Sequence, residues 1–235
     1  MKVREVPSKG TSAITRGVST GRSHHLLSEL EAIYFFLIER RACTVDLREQ
    51  WPILDFDRTL ELCERFGVRH TARGGYPEPF TIDLLITERV DGELRYRAAS
   101  VKSPEDAHDP FVRQRLAVEH AWCLERGIPW TLVDTTQFDK TMLETLRFMR
   151  TWFRHRYVSD SSLEDRFVEQ FAAAYSPNLP LGELLAKLSK LLRQPVTVME
   201  DAFRYCAWSN RIQPSLVHPL ALNAPVVLRT EAFDV

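Results

Sequence analysis

Cysteine is sparse in this chain and badly spaced for metal or redox chemistry. Its four cysteines (Cys43, Cys63, Cys123, Cys206) form no Cys-x-x-Cys pair. That spacing suggests neither a zinc site nor a disulfide framework, and it fits a reducing cytoplasm. No apolar run is long enough to span a bilayer, and the N-terminus lacks the apolar core of a signal peptide. Walker, glycine-rich dinucleotide and Ser-His-Asp motifs are all missing. Excess charge is missing too: the net charge is −1, so there is no global signature of nucleic-acid binding. What remains is 44% hydrophobic and 27% charged residues, an ordinary globular composition. The 235 residues suit one large domain, or one of about 150 residues with a smaller partner.

Charge distribution says more than the total. Residues 1–25 hold Lys2, Arg4, Lys9, Arg16 and Arg22 against Glu5, a net +4, among Gly, Ser and Thr. Residues 1–22 read as a flexible basic arm able to lie along a phosphate backbone, or equally as a terminus with incidental charge. An amphipathic helix is expected over 28–40, with Ser28 and Glu31 spaced as a capping box. A short strand over 44–47, an extended segment over 51–54 and a helix over 56–66 closed by Gly67 follow. Next come a Gly-Pro-rich loop over 74–79, a hairpin, and a helix over 110–126 ending at Gly127. A strand over 130–134 and a helix over 140–155 complete the region. Strands alternating with helices predict an α/β core with a mixed sheet.

The hairpin carries the chemistry. Asp91-Gly92 is a strong signal for a two-residue turn. With those residues in the turn, paired positions face one another so that Asp83 opposes Ser100. Lys102 then lies diagonally on the same face, roughly 7–8 Å away and within reach. The opposite face carries Ile82, Leu84, Ile86, Ala99 and Val101, as a core-packed strand requires. An Asp, a Lys on the next strand and a distant helical Glu are the parts of a metal-dependent phosphodiester nuclease.

Beyond residues 157–162 periodicity is lost, which sets a boundary between a nuclease domain over 23–157 and a C-terminal domain over 158–235. Helices over 163–175, 181–192 and 197–209, then apolar runs over 216–222 and 226–228, match the order of a winged-helix module. Arg204 and Arg211 would be its DNA-contacting residues. The segment from 158 on has seven basic residues against nine acidic ones, so contact with protein is at least as well supported as base reading.

Several segments together resemble the TnsA family, the endonuclease subunit of heteromeric transposases. They are Ser23-His24-His25-Leu26-Leu27-Ser28-Glu29-Leu30-Glu31, Asp46-Leu47-Arg48-Glu49-Gln50-Trp51-Pro52, Thr81-Ile82-Asp83-Leu84-Leu85, Val101-Lys102 and Arg126-Gly127-Ile128-Pro129-Trp130. The resemblance covers roughly residues 20–155. It implies a restriction-endonuclease-like mixed-sheet core followed by a mainly helical winged-helix-like domain. It also implies hydrolysis of the 5′, non-transferred strand at transposon ends, in double-stranded DNA. The implied partners are an integrase-type, TnsB-like transposase and a TnsC-like ATPase regulator, in the bacterial cytoplasm, on the nucleoid when DNA-bound and without a membrane.

Carried over by position, the helical glutamate of the family is Glu31, the central aspartate Asp83 and the lysine Lys102. The implied cofactor is Mg²⁺, with Mn²⁺ as a substitute, held by Glu31, Asp83 and the Val101 carbonyl. Where the family often has Gln or Glu two positions before the lysine, this chain has Ser100, a shorter and weaker oxygen donor. Alternatives stay open at this level. Glu29 competes with Glu31 for the helical position, and Glu31 also reads as a cap alone. Glu119 and His120 read more readily as solvated than as recruited side chains. His24-His25 reads as structural or as a backbone contact, and Gln50 as either packing or site-facing. The competing functions are a stand-alone restriction or repair nuclease, and a DNA-end scaffold with a degraded metal site.

Overall fold

A computed structural model describes residues 12–229 of the chain. The described residues form two compact units. One comprises those up to Glu39 together with Cys43–Phe138; the other comprises Arg40–Ala42 and those from Asp139 onward. No helix among the described residues is long and apolar enough to cross a membrane.

The first unit opens with an antiparallel hairpin, β1 (Ala13–Arg16) and β2 (Ser23–Leu26). Residues 12–22 had read as part of a flexible arm, and this hairpin corrects that; Lys2, Arg4 and Lys9 lie outside the described residues. Its turn depends on Gly17, where an added Cβ would fall 2.1 Å from Thr20 Oγ1 and 2.7 Å from His24 Nε2. Helix α1 (Glu29–Glu39) follows, buried along nearly its whole length.

Strand β3 (Thr44–Ile53) runs continuously through the two segments that the sequence suggested separately. Helix α2 (Phe56–Phe66) ends at Gly67, whose φ of 66° supplies the left-handed cap. A two-stranded excursion, β4 (Ala72–Arg73) and β5 (Tyr76–Pro77), precedes the long hairpin of β6 (Phe80–Val90) and β7 (Glu93–Val101). Asp91 and Gly92 sit at its tip with φ of 53° and 84°, as a turn matched to the strand twist requires. Leu84 pairs with Ala99 and Val90 with Glu93, the register expected from that turn.

Short α3 (Pro104–His108) and long α4 (Pro110–Glu125) lead to β8 (Trp130–Val133). The four-stranded sheet has the order β3-β6-β7-β8, antiparallel except for the parallel β7/β8 pair. It is the mixed sheet anticipated. Burial is more extensive than a single apolar face: Ile82 and Ala98 join Phe80 and Ile53 in a cluster with Leu62 and Cys63 of α2 and Val118 and Cys123 of α4. At about 25 cal/mol per Å², this burial is the main force holding the helices to the sheet.

The second unit is helical: α5 (Lys140–Met149), α6 (Thr151–Arg154), α7 (Ser161–Ala174), α8 (Leu181–Leu192) and α9 (Val196–Trp208). Its division from the first falls at Phe138/Asp139, earlier than residue 157, because α5 and α6 pack against α9. Trp152 meets Tyr205 edge-on at 5.0 Å and Arg204 lies over Phe148 at 5.1 Å. No strand pair forms over 216–228; only the bridges Pro180↔Pro225 and Pro214↔Leu228 occur there among the described residues. Pro214, Pro219 and Pro225 each remove a backbone donor, which leaves too few for a ladder.

Candidate active site

One end of the mixed sheet gathers the charged residues. Asp83 is the fourth residue of β6, and Lys102 directly follows β7. Lys102 Nζ donates to Asp83 Oδ2 at 2.5 Å, and the Val101 N–H donates to the same oxygen at 2.8 Å. Oδ1 accepts no hydrogen bond from the described residues. Asp83 is buried. Burial works against the charge on Lys102, but the carboxylates around it, Asp83 first and then Glu119 and Glu31, together hold the ammonium above its usual range.

Glu31 enters from the first turn of α1. Ser28 caps the helix by accepting from the Glu31 N–H at 3.1 Å, and Glu31 Oε2 accepts from the Leu27 N–H at 3.0 Å. Capping and site-facing roles therefore coexist in one side chain. Burial, and then the Asp83 charge, push its carboxyl up to about 7. Of the two helical glutamates, Glu29 is exposed and Glu31 is buried.

Glu119 is the residue that sequence reasoning placed wrongly. It points inward from α4, is 4% exposed, and accepts the Ser100 hydroxyl at 2.7 Å. Burial and the Asp83 charge push it up to about 7 as well. His120, by contrast, is exposed, with its ring 5.2 Å from Trp130. The Ser100 hydroxyl is thus occupied with a second carboxylate beside Asp83, and Glu119 places an acidic oxygen where the shorter residue leaves room.

Gln50 lies across the β3/β6 ladder from Asp83, between the Glu49↔Leu84 and Trp51↔Ile82 pairs. Its φ is 48°, a left-handed conformation that costs a non-glycine residue about 1 kcal/mol or more. Its amide reaches toward Glu31 Oε2 at 3.5 Å. Beside it, His24 is fully buried between Glu49 Oε2 and Thr20 Oγ1, each at 2.7 Å from a ring nitrogen. Burial opposes the charge on Glu49, but His24 and the His25 N–H bring its carboxyl down to about 2. His24 is therefore a clamp between β2 and β3, and His25 contributes only its backbone donor.

These donors suit a hard divalent cation in one specific sense. Among the described residues, no three acidic, His or Cys side chains converge into a ready-made cage. Magnesium, however, keeps several waters and needs only one or two carboxylates. Three neighbouring carboxyls, two held near 7 by burial and by the third, face a single ammonium. That deficit of positive charge is what a cation would fill.

Residues 42–135 match the family model TnsA-like endonuclease N terminal. Over 149 residues the chain is 30% identical to "Transposon Tn7 transposition protein TnsA" of Escherichia coli, covering 63% of this chain and 54% of that protein. The matched length is thus about half of that relative. Residues 42–135 are thus similar to a TnsA-like endonuclease N-terminal domain.

The stretch matched as TnsA-like contains Gln50, Asp83, Ser100, Val101, Lys102 and Glu119, while Glu31 precedes it on α1. Arg204 and Arg211 belong to the helical unit, and neither is free. Arg204 is buried, paired with Asp201 at 2.9 Å and Glu200 at 3.0 Å. Arg211 is exposed but bound to Glu164 at 3.2 Å and to Asp165. The sequence left Gln50 open between packing and facing the site, and read Glu119 as solvated, for different reasons. The burial of Glu119 comes from the packing of α4, and a left-handed backbone at Gln50 has no one-residue signature.

Proposed function

We propose that this chain is a divalent-metal-dependent DNA endonuclease that hydrolyses the 5′ strand at transposon ends. The observation that carries the reading is the Asp83–Lys102 pair at 2.5 Å, flanked by two buried carboxyls near 7, with Asp83, Lys102 and Glu119 inside the TnsA-like stretch. The core is read as restriction-endonuclease-like on the same grounds. A Mg²⁺ ion would be held by Asp83 with Glu31 and the Val101 carbonyl, the rest of its shell being water, and would supply Lewis-acid charge and a more acidic water.

The chain's own groups do the rest. Asp83 Oδ1, without a hydrogen bond from the described residues, is the oxygen available to a cation, while Val101 N–H and Lys102 fix the orientation of the carboxylate through Oδ2. Lys102 Nζ, kept protonated, turns to a non-bridging phosphate oxygen and offsets charge that grows in the transition state. Glu119, outside that ligand set, takes the proton of the attacking water at a carboxylate oxygen. Water oxygen bonds to phosphorus as the bond to the 3′ oxygen breaks, and that oxygen takes a proton from solvent, giving a 5′ phosphate and a 3′ hydroxyl.

The helical unit is read as a partner-docking module, with an integrase-type transposase and an ATPase regulator as the partners in view. Its α7–α9 order is that of a winged-helix domain, but the arginines of the would-be reading helix are spent on internal ion pairs. Comparison of plasmid nicking by wild type, Asp83→Ala and Lys102→Ala in Mg²⁺ and in EDTA, with the partner transposase supplied, tests the nuclease reading. Metal-dependent nicking lost in both variants supports it. Nicking retained in Asp83→Ala refutes it and favours a scaffold role.

A further inference from the structure

The β4/β5 hairpin has no evident packing role. It forms a separate two-stranded sheet of two residue pairs, Ala72↔Pro77 and Arg73↔Tyr76. Such an isolated pair is marginal on its own. Residues 71–76 are all exposed, with Tyr76 at 79%. At its tip Gly74 and Gly75 have φ of 60° and 85°, with open space where a Cβ would stand.

Its base, in contrast, is firmly held. The Glu78 N–H donates to the Thr71 carbonyl at 2.9 Å, and His70 Nδ1 donates to that same carbonyl at 2.9 Å. The His70 ring meets Phe80 edge-on at 5.3 Å, and Phe80 is fully buried beneath the Arg115 guanidinium at 4.3 Å. A rigid base therefore presents an exposed tip.

The tip is cationic and close to the chemistry. Arg69 and Arg73 are exposed and have no ion-pair partner among the described residues, and Glu78 at the base is the one acid within residues 65–79. The hairpin enters β6 at Phe80, three residues before Asp83, so it projects from the sheet end that carries Asp83 and Lys102. The Asp91-Gly92 turn marks the opposite end. Three strand residues span about 10 Å, and the five from Gly75 to Phe80 at most about 17 Å more. Gly75 thus lies within roughly 27 Å of Asp83 along the chain, less than the ~34 Å of one duplex turn.

We propose that the β4/β5 hairpin is a duplex-DNA contact element. Arg69 and Arg73 engage backbone phosphates within one helical turn of the scissile bond, and Tyr76 packs on the adjacent sugar edge. A protein partner would also accept an exposed tyrosine. Two arginines without an ion-pair partner among the described residues, at the same sheet end as the proposed phosphodiester-cleaving site, favour DNA. The inference rests on the nuclease reading and names the part of the chain that grips the same substrate.

The test uses the full chain and a labelled 40-bp duplex bearing a transposon end, titrated by fluorescence anisotropy across a KCl series. Arg69→Ala/Arg73→Ala is expected to bind at least tenfold more weakly at low salt. Its slope of log K against log[KCl] should be shallower by about 1.8, since each phosphate contact contributes about 0.9. Arg89→Ala/Arg95→Ala removes the same charge at the far end of the sheet and should leave the slope unchanged. Tyr76→Ala should weaken binding without altering the slope. Melting temperatures should match wild type, because none of the altered tip side chains is buried. An unaltered slope in Arg69→Ala/Arg73→Ala overturns the hairpin assignment and points to a protein-contact role. Equal losses in the two arginine pairs overturn it as well. If wild type cuts and binds while the hairpin variant is indistinguishable from it, only the hairpin assignment fails. If wild type does not bind the duplex and, with the partner transposase supplied, does not nick it in Mg²⁺, the nuclease reading fails with it.

Discussion

The Ser100 hydroxyl donates to Glu119 Oε2 at 2.7 Å, joining the end of β7 to the interior face of α4 beside Asp83. An oxygen that looked too short to serve the site instead orients a longer acid. Glu119→Ala is therefore expected to lower single-turnover cleavage by about 100-fold, the scale for losing a group that acts in the transition state. Ser100→Ala should cost about 1–3 kcal/mol of stability, as a buried acceptor loses its donor, and less activity than Glu119→Ala. Rapid-quench cleavage and calorimetry of the two variants check the order.

Glu31 and Glu119 should make the metal-free fold less stable as pH rises. Both carboxyls have folded-state pKa values raised from 4.5 to about 7. Between those values the folded state binds more protons than the unfolded chain, so stability falls with pH through this window and levels off above it. Glu119→Gln should raise the melting temperature at pH 8 and leave it almost unchanged at pH 4. A thermal-shift series in EDTA from pH 4 to 8 checks both points.

Added Mg²⁺ should reverse that penalty. A ligand at ten times its Kd stabilises the folded state by about 1.4 kcal/mol. The melting temperature of wild type at pH 8 should rise by a few degrees, and that of Asp83→Ala should not. Titration of both proteins with MgCl₂ gives the answer.

Gln50 should show activity and stability moving in opposite directions. Gln50→Gly relieves the left-handed φ of 48° but removes the amide that reaches Glu31. The melting temperature should hold or rise while cleavage falls by about tenfold, an exchange seen where strain serves a site. Gln50→Ala keeps the strain and should lose both.

The parts of this molecule that were legible in its sequence are those set by local chemistry. Asp91-Gly92 specified the hairpin register, and Gly67 and Gly127 specified helix ends, because left-handed residues there have few alternatives to glycine and its neighbours. Asp83 and Lys102 followed from that register, being only nineteen residues apart across one turn. Glu119 did not, because a carboxylate on α4 reads as solvated until the sheet is seen to cover it. Residues 13–22 read as part of an arm because Gly, Ser and Thr make up half of them. Their order comes from remote partners, through His24 and Arg22 on Glu49 of β3. Apolar runs after α9 suggested strands, and the prolines between them left only isolated bridges.

Strand-resolved cleavage of end-labelled transposon-end DNA in Mg²⁺, with the neighbouring transposase present, tests the central claim most directly. Wild type should release the 5′ strand, and Asp83→Ala should lose that product while 3′ cutting by the partner survives. Identical 5′ products from wild type and Asp83→Ala, in a complex shown to assemble, would contradict it.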